Sequence, residues 1–130
     1  MNRGEFQELA HIRLTDAKVL LDNECYDGAY YLAGYVIECA LKACIAKRTR
    51  EFDFPDKQIV DKIYSHKLTQ LLSVIGIQPP EDIEVNWAVV KDWSEQHRYK
   101  RQHTEIEAKD MYEAVSDPDE GVLEWIKQHW

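Results

Sequence analysis

One stretch of this chain is apolar almost all the way round a helix. From about Asp27, the residues Tyr30, Ala33, Ile37, Leu41 and Cys44 recur at intervals of three and four, while Ala29, Gly34, Ala40 and Ala43 fall on the opposite side. A helix without a broad polar face has to lie inside other elements rather than on top of them. The small residues on its second side let a neighbouring backbone approach closely. This segment is therefore expected to be the central helix, which confines the chain to folds that wrap around one. Glu38 and Lys42 stand four apart in the order that favours an ion pair, and in so apolar a helix the pair is expected to be partly buried and structural.

The rest of the chain repeats the helical period, and no stretch sustains an alternation of two. Phe6, Ala10, Leu14, Ala17 and Leu21, flanked by Leu9 and Leu20, form one stripe on a first helix that Asp22-Asn23-Glu24 interrupts. Between Thr49 and Tyr64, Phe52, Phe54 and Pro55 suggest a loop pinned by aromatics, with one or two helical turns around Lys57 to Ile63. Ser65-His66-Lys67-Leu68 begins a short helix with Leu68, Leu71, Leu72 and Ile75 inward, ending at Gly76 before Pro79-Pro80; His66, in its first turn, reads as a capping or packing residue. A fourth helix starts near Pro80 or Glu81. Its stripe of Ile83, Trp87, Val90, Ser94 and His97 carries it to Arg98, about a hundred degrees round from His97. On that stripe His97 reads first as a packed core or interface residue. Trp93 and Trp125 can stack bases or fill helical stripes.

Thr104-Glu105-Ile106-Glu107 is a capping box, so a new helix begins at Glu105. Its stripe is Ala108, Met111, Tyr112 and Val115. Asp117-Pro118-Asp119-Glu120 then restarts a helix with Asp as cap, leading to Val122, Ile126 and Trp130, with Leu123 and Trp125 beside them. The expected fold is all-α, an up-and-down bundle of four to five helices, and residues 1–130 form one domain.

Charge limits the partners. With 16 Lys plus Arg against 24 Asp plus Glu, the formal net charge is -8, so the chain as a whole repels nucleic acid and any such binding has to be focused by a local patch. Lys47-Arg48-Thr49-Arg50 is one patch. The other is His97-Arg98-Tyr99-Lys100-Arg101-Gln102-His103, which holds three cations and two histidines with no acid. Three cysteines, Cys25, Cys39 and Cys44, are an odd number without a CxxC pair, which argues against a disulfide framework and a structural zinc site. A reducing cytoplasm fits. Met1-Asn2-Arg3-Gly4-Glu5 enters charged sequence, and no uninterrupted apolar run approaches the ~18 to 20 residues of a membrane span. No membrane association and no cofactor are expected.

The basic run carries the chemistry. Arginine offers a planar fork of donors suited to phosphate oxygens, and histidine exchanges a proton near neutral pH. The capping box sets Arg98 at the close of one helix and His103 just before the next, at a helix-to-helix corner. The positive end of the new helix favours a neutral, proton-accepting His103 and attracts an anion, which suits a general base beside phosphate. The plainer reading of the same residues is a solvated basic helix end.

Taken together, the segments resemble the HEPN family, the higher eukaryote and prokaryote nucleotide-binding domains. The likeness rests on Arg13-Leu14-Thr15-Asp16-Ala17-Lys18-Val19-Leu20-Leu21 and on Tyr26-Asp27-Gly28-Ala29-Tyr30-Tyr31-Leu32-Ala33 running into Glu38-Cys39-Ala40-Leu41-Lys42-Ala43. It continues in Ser65-His66-Lys67-Leu68 before Leu71-Leu72, in Arg98 with His103, and in the closing Gly121-Val122-Leu123-Glu124-Trp125-Ile126-Lys127. The resemblance implies a helical bundle that dimerises and, as in many members, a metal-independent ribonuclease acting as a toxin or in defence against phage. The family signature is an arginine separated by four to six residues from a histidine, shared between two protomers. It implies that Arg98 binds the scissile phosphate and His103 serves the proton transfers as a 2′-hydroxyl attacks its own phosphate. His97, Tyr99, Lys100 and Arg101 would then contact the nucleic acid, with Lys100 and Arg101 gripping flanking phosphates. No carboxylate or Cys/His cluster stands at metal-ligand spacing in the sequence, in keeping with that chemistry.

Two positions depart from the pattern. Tyr99 follows the arginine where active members carry Asn, Asp or His, and Arg-Tyr is similar to members that accompany a minimal nucleotidyltransferase. Glu105 stands where one toxin subgroup carries a tyrosine modified by such a partner. The expected partners are a second copy of the chain, RNA or a nucleotide, and a nucleotidyltransferase or antitoxin. The competing readings are a non-catalytic nucleotide- or nucleic-acid-binding module and a purely structural dimerisation domain in which Arg98 pairs with Glu95 or Glu105.

Overall fold

A computed structural model of the chain describes residues 1–51, 64–99 and 102–130. Its elements are α1 (Arg3–Asp22), α2 (Tyr26–Glu51), α3 (Leu68–Ile75), α4 (Glu84–Val90), a 3₁₀ helix (Glu95–Tyr99), α5 (Glu105–Ser116) and α6 (Val122–Lys127). No strand occurs among the described residues. The molecule is an all-helical bundle, as expected. It has six α-helices among the described residues. The expected turns around Lys57 to Ile63 lie outside the described residues.

The sequence pattern explains the centre of the bundle. On α2, Ala29, Ala33, Val36, Ile37, Ala40, Leu41, Ala43 and Cys44 are all fully buried, and α1, α3, α5, α6 and the 3₁₀ helix all pack against it. Each fully buried Ile or Leu there contributes roughly 1.5–3 kcal/mol. By length and composition Tyr26–Thr49 would pass for a membrane span, at a mean hydropathy of 1.3, yet it is the core helix of the bundle with 67% of its most apolar window buried. The longest seam is with α1, which contributes the fully buried Ala10 and Ala17. That helix opens on a capping box, with Asn2 Oδ1 accepting from the Glu5 amide and Glu5 Oε2 accepting from the Asn2 amide, both at 2.8 Å. The 3-residue break before α2 makes the two helices a hairpin.

Midway along α2 the expected ion pair is present and has a third member. Glu38, with its side chain 3% exposed, accepts from Lys42 Nζ at 3.4 Å and lies 2.9 Å from His66 Nδ1. His66 stands before α3, outside its first turn, and ties the preceding segment to the central helix. Gly76 closes α3 in the left-handed conformation at φ 77°, where a side chain would be strained.

The fourth helix stops earlier than its stripe suggests. It ends at Val90, and the chain turns at Lys91-Asp92 before re-forming as the 3₁₀ helix. The reason is Trp93, whose indole is driven into the core at 1% exposure. It lies flat against Gly34, where an added Cβ would fall 2.2 Å from Cδ1 and 2.4 Å from Nε1 of the indole. At Gly34 the small-residue side of α2 therefore admits a Trp ring. Among the described residues its buried Nε1 has no hydrogen-bond partner, a cost of about 1–3 kcal/mol that the packing offsets. Trp125 is also core, at 5% exposure, so neither Trp is available to stack bases.

α5 begins at the expected capping box, with Thr104 Oγ1 accepting from the Glu107 amide at 3.1 Å. Asp117 does not start a helix. It ends α5, and its Oδ1 accepts from the amides of Asp119 and Glu120, each at 2.8 Å, to hold a tight turn before Val122. These bonds favour the ionised side chain and hold its pKa below the usual carboxylate value. Val122, Leu123, Trp125 and Ile126 of α6 are buried, and Arg3 and Gln7 of α1 donate to the backbone oxygen of Trp130.

Candidate functional site

The helix-to-helix corner expected from the capping box sits on the first turns of α2. Its anchor is Asp27, in the opening turn of that helix. Asp27 Oδ1 accepts from the backbone amide of His103 at 2.8 Å and lies 2.7 Å from the His103 ring Nδ1. A carboxylate can only accept, so Nδ1 carries a hydrogen, and Nε2 is the ring nitrogen left for a second partner. That Nε2 lies 3.4 Å from Nδ1 of His97, a longer and weaker link. Three side chains thus form one chain of contacts running from α2 through the corner to the 3₁₀ helix.

Tyr30, one helical turn along from Asp27, holds the two imidazoles from one side. Its ring is stacked on His103 with centroids 4.1 Å apart and planes at 21°, and it is tilted against His97 at 5.0 Å. Burial pushes the Tyr30 phenol pKa up, with the nearby Glu107 and Asp92 charges adding to the effect. The side chain of His103 is completely buried, whereas His97 is half-buried.

Arg98 points the other way. It is exposed, with its guanidinium carbon 4.9 Å from the centroid of the Tyr99 ring, and Tyr99 is 67% exposed. This is a cation–π pair on the outer side of the corner. Among the described residues no hydrogen bond or ion pair joins Arg98 to His103, and Arg98 does not pair with Glu95 or Glu105; Glu105 binds Lys109 at 2.9 Å instead. The acid-paired arginine of the dimerisation-domain reading is therefore not what the fold builds.

Of the residues singled out in the sequence, His97 and His103 are brought together, and Arg98 and Tyr99 stand together at the surface beside them. Lys100 and Arg101 lie outside the described residues. The second basic patch is far away: Lys47 and Arg48 lie about twenty residues along α2 from Asp27, roughly 30 Å at the helical rise. Sequence reasoning missed Asp27 and Tyr30 as members of the site. The signals were an Asp in a first helical turn and a tyrosine at the open end of the apolar stripe. Among the described residues, no group of three or more His, Cys, Asp and Glu side chains is arranged to hold a metal ion.

Fold and corner together define a helical bundle in which an acid-oriented imidazole is buried at a corner whose adjoining 3₁₀ helix carries an exposed arginine. The family comparison places the chain more narrowly: the model of the HEPN domain matches residues 5–129. The chain belongs to the HEPN domain family, whose functions concern nucleotides and RNA. No curated protein and no solved structure matches it.

Proposed function

We propose that the chain is a metal-independent endoribonuclease of toxin or defence type, working as a homodimer in the cytoplasm. Arg98 binds the scissile phosphate and His103 takes part in proton transfer, at a cleft that a second copy completes. Lys100 and Arg101 contact flanking phosphates, and Tyr99 offers a ring on which a base can stack. The observation that carries this reading is the corner itself: His103 is oriented by a carboxylate, as proton-transferring imidazoles are, with a solvent-facing guanidinium from the adjoining helix.

Incubating the purified protein with structured and single-stranded RNA in the presence of a chelator tests it. Cleavage leaving a cyclic phosphate end is expected, with losses of about 100-fold or more in Arg98→Ala and His103→Ala. Equal cleavage by wild type and variants, or none, rejects the nuclease.

One observation favours a second reading. The His103 side chain has no exposed surface and both ring nitrogens are engaged, as in a histidine that holds a fold together. A non-catalytic nucleotide- or RNA-binding module, partnered with a minimal nucleotidyltransferase or antitoxin, would need Arg98 but not a reactive imidazole. Nucleotide binding that is lost in Arg98→Ala and retained in His103→Ala, without cleavage, would support it.

A further inference from the structure

We propose that His97 and His103 together form a capture site for a borderline divalent transition-metal ion such as Zn²⁺, and that an ion held there silences the corner. The binding stands on the geometry alone; the silencing rests on the ribonuclease reading above.

Two imidazole nitrogens face each other at the corner, His103 Nε2 and His97 Nδ1, 3.4 Å apart. That is long for a hydrogen bond. It is the spacing of two ligands on one tetrahedral ion, since Zn–N bonds of about 2.0–2.1 Å at the tetrahedral angle set their nitrogens ~3.3–3.4 Å apart. Asp27 is not a third ligand. Its carboxylate lies on the other side of the His103 ring, 2.7 Å from Nδ1, and also accepts from the backbone amide of the same residue at 2.8 Å. This is the carboxylate–imidazole–metal order, in which the acid fixes the ring and makes its inner nitrogen a better ligand. Tyr30 holds both rings from one side, stacked on His103 at 4.1 Å and tilted against His97 at 5.0 Å, so little ordering is left for the ion to impose.

The ligand type selects the ion. Imidazole suits Zn²⁺, Cu²⁺ and Ni²⁺, whereas Mg²⁺ and Ca²⁺ take oxygen ligands. Ligation requires both inner nitrogens to be without hydrogen, so the ion and a proton compete for them. The ion enters from the side of His97, which is half-buried, because the His103 side chain has no exposed surface, and water fills the remaining positions. Once bound, it occupies Nε2 of His103 while Asp27 holds Nδ1, which leaves that ring no nitrogen with which to move a proton. A reaction that needs no metal is then one that this metal stops.

Ring ¹⁵N spectra of the full chain, titrated with Zn²⁺ alone, test the site. The His97 and His103 ring resonances should move together up to an equimolar addition, while those of the other three histidines, His11, His66 and His129, stay in place. Mg²⁺ in excess should move none of them. His97→Gln should abolish the shift at His103, and Asp27→Asn, which keeps an acceptor for both bonds but removes the charge, should weaken Zn²⁺ binding about 10-fold or more with a melting profile close to that of wild type. An unmoved His97–His103 pair in excess Zn²⁺, or a shift at His103 that survives in His97→Gln, overturns the site. Cleavage of single-stranded RNA tests the silencing: equimolar Zn²⁺ should stop it and a chelator restore it. Cleavage that continues with the ion bound overturns the silencing alone. A wild type that cuts no RNA even in chelator overturns the nuclease reading and the silencing with it, while the spectra still decide the site.

Discussion

Two carboxylate–imidazole pairs are built on α2, and one is the other turned inside out. In the middle of the helix the acid is hidden and the ring is not: the Glu38 side chain is 3% exposed and that of His66 48%. At the start of the helix the ring is hidden and the acid is not, with His103 at 0% and Asp27 at 42%. The difference decides what else each pair requires. A carboxylate sealed from water is costly to bury unless a cation accompanies it, and Lys42, 13% exposed, does so at 3.4 Å. A buried imidazole bound to a partly exposed carboxylate has its acid partner still in contact with water, and needs its ring hydrogen bonds satisfied. The first arrangement is a clamp, with its charges balanced internally. The second is continued outward, through the His103 ring to the half-buried His97.

If that contrast holds, removing charge should hurt the clamp most. Lys42→Met, which keeps the bulk and deletes the ammonium, should lower stability by about 3 kcal/mol, read from urea unfolding by circular dichroism. A loss under about 1 kcal/mol would mean that Glu38 is not held as a buried ion, and the comparison would break. Gly34→Ala lies between the two pairs and pushes a methyl into the Trp93 ring. Overpacking of this kind should cost about 2 kcal/mol and weaken the 3₁₀ helix next to the corner, visible as faster amide exchange at His97 while the amides around Glu38 hold. The smallest effect needs no mutation. Cys25, just before α2, is exposed, whereas burial pushes the thiol of Cys39 up to about 12 and that of Cys44 up to about 11. At pH 8 a thiol reagent should therefore modify Cys25 alone in the native protein and all three cysteines after denaturation. Rapid reaction at Cys39 would show that the middle of α2 opens as readily as its start.

The parts of this molecule that were legible in the sequence are those written in neighbouring residues. Thr104 and Glu107 stand three apart, and their capping box is where the spacing puts it. The stripes of α1, α2 and α3 likewise face inward as their periods require. What escaped was long-range. Asp27 and His103 are 76 residues apart and His66 and Glu38 are 28 apart, and no local pattern marks either pairing. The early end of α4 is also a tertiary effect: the stripe through Ser94 and His97 continues, but the pull of Trp93 onto Gly34 breaks the helix beneath it. Asp117 shows a third kind of miss. Asp-Pro-Asp-Glu is a fair helix start by composition, yet the same side-chain oxygen that could cap a helix serves a tight turn equally well, and the turn is what α5 and α6 need to pack.

The 76 residues between Asp27 and His103 also set an order of assembly. The α1–α2 hairpin is made of contacts close in sequence and can form as soon as those residues are synthesised. The corner cannot: its carboxylate is in place early, but the imidazoles arrive with the last third of the chain and find it only when α5 docks. Whatever chemistry this corner performs is thus withheld until α5 has docked on the α1–α2 hairpin.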